Sequence, residues 1–313
     1  MGFERLLGNE RLKENLISSL SRGRVSHFYL ISGPRGSGKR TLAKLLSAAI
    51  LCREAEKPCG RCSPCRKVLD GNHPDLITVD DPEHKTVAVR IVREAREDVF
   101  IRPNEADYKI YLFPQELGIE GQNALLKILE EPPQYGVFIL LTDNPDKLLP
   151  TVRSRCTELA LQALPPEILC PALAREFPEA AREDLEAAAQ RSGGFLGQAM
   201  ELLREEAQPQ VEAFVKAFGG RDALALTQML APMEKWKRDQ LVPVLEGWVG
   251  LLENALANRA GMPATSGQVR TLAAERSSQE LMQALRSIQK ARELALGNVS
   301  PGAVCGWLQW ELR

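Results

Sequence analysis

Short apolar runs recur through the first half of the chain at Phe28–Ser32, Leu76–Val79, Ile110–Phe113, Val137–Leu141 and Glu158–Leu161. Between them lie stretches with helical periodicity, over residues 10–22, 41–51, 87–98 and 121–131. Brief apolar strands alternating with helices predict an α/β fold, a parallel sheet covered by helices on both faces. The sheet part ends near Leu161, and Pro165-Pro166 marks a linker. The remainder reads as helices throughout. Three short ones are predicted at 167–176, 180–190 and 196–204, broken by Phe177-Pro178 and Ser192-Gly193-Gly194. Further helices are predicted at 210–218, 222–232, 237–259, 265–274, 277–295 and 301–311. Leu281, Leu285, Ile288 and Ala295 share one face there, and Trp236, Trp248, Trp307 and Trp310 add large apolar surface. The expected organisation is an α/β domain over 1–163, a small helical domain over 164–207 and an all-α domain over 208–313.

Composition narrows this little. At 313 residues and 44% hydrophobic, the chain is long and apolar enough for two or three packed cores. Lys and Arg total 40 against 41 Asp and Glu, which gives no reason to expect strong independent binding to nucleic acid. No apolar run reaches the length of a membrane span, and the opening residues Met1-Gly2-Phe3-Glu4-Arg5 have no signal-peptide core. A cytoplasmic protein with no membrane partner is expected.

The chemistry concentrates in two places. Gly33-Pro34-Arg35-Gly36-Ser37-Gly38-Lys39-Arg40-Thr41 follows the first predicted strand and opens a helix. That is the context of a phosphate-binding loop, where backbone N–H groups and the helix N-terminus attract anions. Gly33, Gly38 and Lys39 fit the G-x-x-x-x-G-K-[ST] pattern. Arg40 stands where a Ser or Thr hydroxyl would ligate Mg²⁺, and Thr41 comes one residue late. The second place is Cys52-x6-Cys59-x2-Cys62-x2-Cys65, whose spacing suits four thiolates around a structural Zn²⁺. Cys156, Cys170 and Cys305 are scattered and read as small buried apolar residues. His27, His73 and His84 show no ligand spacing.

Several blocks together resemble the clamp-loader branch of the AAA+ ATPases. They are Ser26-His27-Phe28-Tyr29-Leu30, the four-cysteine insert, Asn123-Ala124-Leu125-Leu126-Lys127-Ile128-Leu129-Glu130-Glu131-Pro132-Pro133, and Leu148-Leu149-Pro150-Thr151-Val152-Arg153-Ser154-Arg155-Cys156. The combination looks like the gamma/tau and delta-prime subunits of bacterial DNA polymerase III over roughly the first 200 residues. This resemblance implies a five-stranded AAA+ domain, a small helical lid and a helical collar through which subunits form a ring. It also implies gamma/tau and delta subunits, a sliding clamp and primer–template DNA as partners.

Compared position by position, the resemblance exposes losses. An active motor of this kind ends its third-strand motif in Asp-Glu, whereas Tyr111-Leu112-Phe113 is followed by Pro114-Gln115, with Glu116 displaced by one position. The lid arginine of a Gly-x-x-Arg pattern is replaced by Gly197 in Gly194-Phe195-Leu196-Gly197. Arg40, Pro114-Gln115 and Gly197 together look like a retired ATPase, nearer delta-prime than gamma/tau. Whether the loop still takes ATP or ADP stays open on these residues. Ser154-Arg155-Cys156 is intact, and the resemblance implies that Arg155 is an arginine finger acting on a neighbour's ATP, a contribution of ~10³–10⁵ in rate for such groups. The alternative role for Arg155 is a structural ion pair, for example with Glu158.

Overall fold

The computed structural model describes residues 2–206, 209–297 and 299–312. Contacts divide the chain into two units, Met1–Ile168 and Leu169–Arg313. In chain order the first contains α1 (Glu10–Ser21), β1 (Phe28–Ser32), α2 (Lys39–Leu51), α3 (Ser63–Asp70), β2 (Leu76–Thr78), α4 (Val89–Asp98), β3 (Lys109–Phe113), α5 (Ile119–Glu130), β4 (Gly136–Thr142), α6 (Pro150–Arg153) and β5 (Thr157–Ala160). The five strands form one parallel sheet in the order β2-β3-β4-β1-β5. Every residue of β1, β3 and β4 is buried, which is why these strands are apolar without alternation.

Alternate residues of the three inner strands serve two cores. Phe28, Leu30, Tyr111, Phe113, Phe138 and Leu140 pack with Val92 of α4 and Leu125 and Ile128 of α5. Tyr29, Ile31, Ile110, Leu112, Val137 and Ile139 pack on the other face with Leu16 of α1, Leu42 and Leu46 of α2 and Val68 of α3. Phe138 anchors the first core, stacked on Phe28 at 4.6 Å and on Tyr111 at 5.1 Å between ring centres. The expected strands and helices of this half are present, with boundaries moved by one or two residues. The α3 helix inside the cysteine-rich stretch was not foreseen. Its start and stop signals are nevertheless local: Pro64 in the first turn and Gly71, at φ 80°, just past the end.

The second unit is wholly helical among its described residues. The α7 helix (Pro166–Glu176) begins at the end of the first unit and is followed by α8 (Arg182–Arg191), α9 (Leu196–Glu206), α10 (Pro209–Phe214), α11 (Ala223–Met233), α12 (Arg238–Arg259), α13 (Gly267–Glu275), α14 (Ser278–Leu296) and α15 (Pro301–Glu311). Trp248 of α12 is fully buried, stacks on Phe214 at 4.7 Å and donates its ring N–H to Gln210 O at 3.2 Å. Arg276, also buried, lies over the Phe218 ring at 4.2 Å and pairs with Glu280 at 2.8 Å. Asp184 of α8 accepts from the Gly267 N–H at 2.8 Å, tying the short helices to α13 within this unit. Trp310, by contrast, is 75% exposed, so not all four tryptophans are core.

Two carboxylates brace the sheet, Asp98 part-exposed and Asp75 fully buried. The Asp98 carboxylate receives Lys109 Nζ at 2.8 Å and the Tyr111 hydroxyl at 2.6 Å. Burial opposes ionisation of Asp98, but these donors hold its carboxyl below the ordinary range. Asp75 has no exposed surface and accepts four hydrogen bonds, from Asn104 N (2.5 Å), Asn104 Nδ2 (3.1 Å), Glu105 N (2.9 Å) and Ala106 N (3.0 Å). Here too burial works to raise the pKa, and the backbone N–H groups outweigh it, leaving the carboxyl lowered. A lowered folded-state pKa stabilises above the unfolded value of about 3.9, and that contribution is lost as pH falls through the folded value. Asp75→Ala is therefore expected to destabilise the protein by about 3 kcal/mol in urea unfolding at pH 6, since the donors lose a charged acceptor in a buried site. The gap between wild type and variant should shrink when the titration is repeated at pH 3. An unchanged gap would mean that the carboxylate charge is not what matters.

Candidate functional site

The phosphate-type loop leaves the carboxyl end of β1. Gly33, Gly36 and Gly38 adopt φ of 152°, 76° and 97°, and α2 begins at Lys39. A Cβ on Gly33 would lie 2.8 Å from Ser37 Oγ, so the turn closes only with glycine there. Lys39 Nζ is held by Gly33 O at 2.6 Å, Pro34 O at 2.9 Å and Asp143 Oδ1 at 2.6 Å. Arg40 and Thr41 are exposed on the first turn of α2. The loop expected from the sequence is formed, with a partner for its lysine, Asp143, that no motif announced.

Beyond β3, Gln115 and Glu116 are both engaged within the chain. Gln115 accepts from the Asp81 N–H at 2.6 Å and donates to Asp81 O at 2.9 Å and His84 O at 3.0 Å. Glu116 accepts Lys147 Nζ at 2.9 Å. Asp81 accepts from His84 Nδ1 at 2.9 Å and from the Ala88 N–H at 3.3 Å, and the His84 contact holds its carboxyl below the ordinary range. Gly197 sits in the first turn of α9, in the second unit.

Arg155 lies between α6 and β5, at the amino edge of the sheet. Thr157 pairs with Tyr29, whereas the glycine loop leaves the other end of the same strand at Gly33. That step along β1 is roughly 13 Å at about 3.3 Å per residue. The Arg155 side chain is 42% exposed, donates to Thr151 O at 2.9 Å and forms an ion pair with Glu130 of its own chain at 3.8 Å. The ion pair with Glu158 considered from the sequence is absent, because Arg153 occupies that carboxylate at 3.2 Å and also binds Asp146 at 2.9 Å.

The four cysteines converge. Cys52 caps the end of α2, Cys62 caps the start of α3, Cys65 lies in the first turn of α3, and Cys59 stands in the loop between. Their sulfurs lie within 4.8 Å of one another, with Cys52–Cys62 at 3.8 Å and Cys59–Cys65 at 4.0 Å. A tetrahedral Zn²⁺ with Zn–S near 2.3 Å requires sulfurs about 3.8 Å apart. The donor set fits a closed, structural zinc site. Burial raises the pKa of Cys65; at Cys59 burial is again the largest single effect, but the N–H groups of Arg61 and Cys62 together with the Cys62 and Cys52 thiols outweigh it and bring the pKa down to about 6. Arg53 donates to Glu105 O at 2.6 Å and Lys67 binds the Glu105 carboxylate at 2.7 Å, fastening the module to the loop that Asp75 holds.

Residues 8–165, about half the chain, match the protein family described as DNA polymerase III, delta subunit. The chain belongs to the DNA polymerase III delta-subunit family. The part matched to this family contains the glycine loop, the cysteine cluster and Arg155. Curated relatives include DNA polymerase III subunit tau of Bacillus subtilis, 38% identical over 158 residues, covering 49% of this chain and 28% of that protein. Another is DNA polymerase III subunit tau of Escherichia coli, 32% identical over 252 residues, covering 79% of this chain and 38% of that protein. The chain thus spans well under half the length of these relatives. Among solved structures, the Bacillus subtilis DNA clamp loader delta protein aligns over 96% of this chain and 98% of its own, with TM-score 0.39 and 12% identity. No helix among the described residues is long and apolar enough to cross a membrane.

Purified protein is expected to carry about one zinc per chain by atomic absorption, and Cys65→Ala to lose it. A strong chelator should lower the melting temperature of wild type and leave that of Cys65→Ala unchanged. A wild-type protein with no stoichiometric metal would remove the zinc assignment.

Proposed function

We propose that this chain is a clamp-loader subunit of bacterial DNA polymerase III, of the delta-prime type. On this reading it has no ATPase of its own and donates Arg155 to the ATP site of a gamma/tau neighbour. The observation that carries it is the asymmetry between the two edges of the sheet. At the carboxyl edge the positions for a metal ligand and a water-orienting acid hold Arg40, Pro114 and Gln115, and Gln115 is bonded to the 81–84 loop. Without those groups neither the metal nor the attacking water is held, which removes the main supports of phosphoryl transfer. At the amino edge Arg155 is exposed and too far along β1 to reach its own glycine loop, as a finger acting in trans would be. Its guanidinium would neutralise charge developing on a neighbour's γ-phosphate.

The rest of the proposal follows from family membership. The second unit would supply lid and collar, the zinc module would be structural, and the partners would be gamma/tau and delta subunits, the sliding clamp and primer–template DNA. A second reading, an ATP-hydrolysing gamma/tau-type motor, is favoured by the tau names of the relatives. The absent carboxylates weigh against it.

ATP turnover with Mg²⁺ distinguishes the two. The chain alone is expected to show none. Mixed with a gamma/tau subunit it should raise turnover, and Arg155→Ala should cut the stimulated part by roughly ten-fold or more. Turnover by the isolated chain that survives repurification and disappears in Lys39→Ala would establish the motor instead.

A further inference from the structure

Lys39 is saturated. An ammonium group has three N–H donors, and Lys39 Nζ has three acceptors at 2.6, 2.9 and 2.6 Å: Gly33 O, Pro34 O and Asp143 Oδ1. Only 12% of its side chain is exposed. The third acceptor is a carboxylate held by the sheet itself. Ser32 pairs with Thr142 in the β1–β4 ladder, and the Gly33 N–H donates to Thr142 O at 3.2 Å, so the next residue, Asp143, stands beside the turn. The turn also closes on itself, since the Ser37 N–H donates to Pro34 O at 3.2 Å. In a working phosphate loop the lysine reaches the β- and γ-phosphates. Here a negative group of the chain already occupies that ammonium.

We infer that Asp143 is an internal substitute for phosphate, which keeps the glycine loop formed without a ligand and excludes nucleoside diphosphates and triphosphates from it. Two effects act together. A nucleotide must break the Lys39–Asp143 pair to gain the lysine, and its phosphates then sit beside an uncompensated carboxylate. Arg40 and Gln115 account for a lack of hydrolysis, because they remove metal and water positioning. They leave the binding of a nucleotide without metal untouched, and Asp143 acts on that step. The inference deepens the reading of a retired ATPase and rests on it, but it fails separately.

The test is equilibrium binding of a fluorescent ADP analogue to the full chain without Mg²⁺, alongside ATP turnover with Mg²⁺. Asp143→Asn keeps the shape and removes the charge. It should bind the analogue at least ten-fold tighter than wild type, about 1.4 kcal/mol, and adding Lys39→Ala should abolish the gain. Asp143→Ser, judged by the same criterion, serves if the first variant does not fold. Folded variants that bind no tighter than wild type, or a gain that persists without Lys39, overturn the inference. Wild-type protein that hydrolyses ATP overturns the proposed function as well. Silent wild type with no gain in the variants overturns only the role of Asp143.

Discussion

The pairing of β1 between β4 and β5 is the constraint on which the first unit depends. A strand buried on both faces and hydrogen-bonded on both edges has no solvent-facing side, so each of its residues must be apolar or locally satisfied. Parallel neighbours cannot be joined by tight turns, and the connections become the helices that cover the two faces. The same direction of travel separates the chemistry. Whatever follows the strands, namely the glycine loop, Pro114-Gln115 and Asp143, gathers at one edge, whereas Arg155, just before β5, lies at the other.

The groups at the carboxyl edge are bonded to the chain's own groups. Gln115 bridges to the 81–84 loop, Glu116 pairs with Lys147, and Lys39 is shared among two carbonyls and Asp143. The physical reason is the cost of leaving a half-buried donor or acceptor without a partner. Such internal contacts keep the loop's architecture in the absence of any ligand. The ends of the loop are set by β1 and α2.

The cysteine module belongs to the same scheme. Two of its sulfurs sit at the end of α2 and the start of α3, so a metal there would join the helix leaving the glycine loop to the next helix packed beside it. Arg53 and Lys67 reach Glu105, whose backbone N–H is held by Asp75. The module is thereby fastened to the loop that precedes β3. In the second unit Trp248 and Arg276 play comparable parts, each combining a large buried surface with a satisfied polar tip.

Much of this was legible in the residues. Continuous apolar runs mark the buried strands, glycine, proline and capping residues mark the breaks, and the Cys52–Cys65 spacing marks the ligand set, because each signal is local and acts over a few residues. Strand boundaries were legible to within one residue, for the edge strands β2 and β5 as for the inner β3 and β4. The helix inside the cysteine stretch is only eight residues long, and its Pro64 suits a turn as well as the first turn of a helix. What the sequence by itself determined is therefore the α/β-then-helical order, the glycine loop with Arg40 where a hydroxyl is expected, and a four-cysteine spacing suited to a metal. Only the tertiary structure decided that Asp143 meets Lys39 across 104 residues of chain, that Arg153 rather than Arg155 takes Glu158, and that Asp75 binds the 104–106 loop. These are pairings set by sheet order and register, and no spacing along a chain encodes which distant polar groups a parallel sheet will bring within hydrogen-bonding distance.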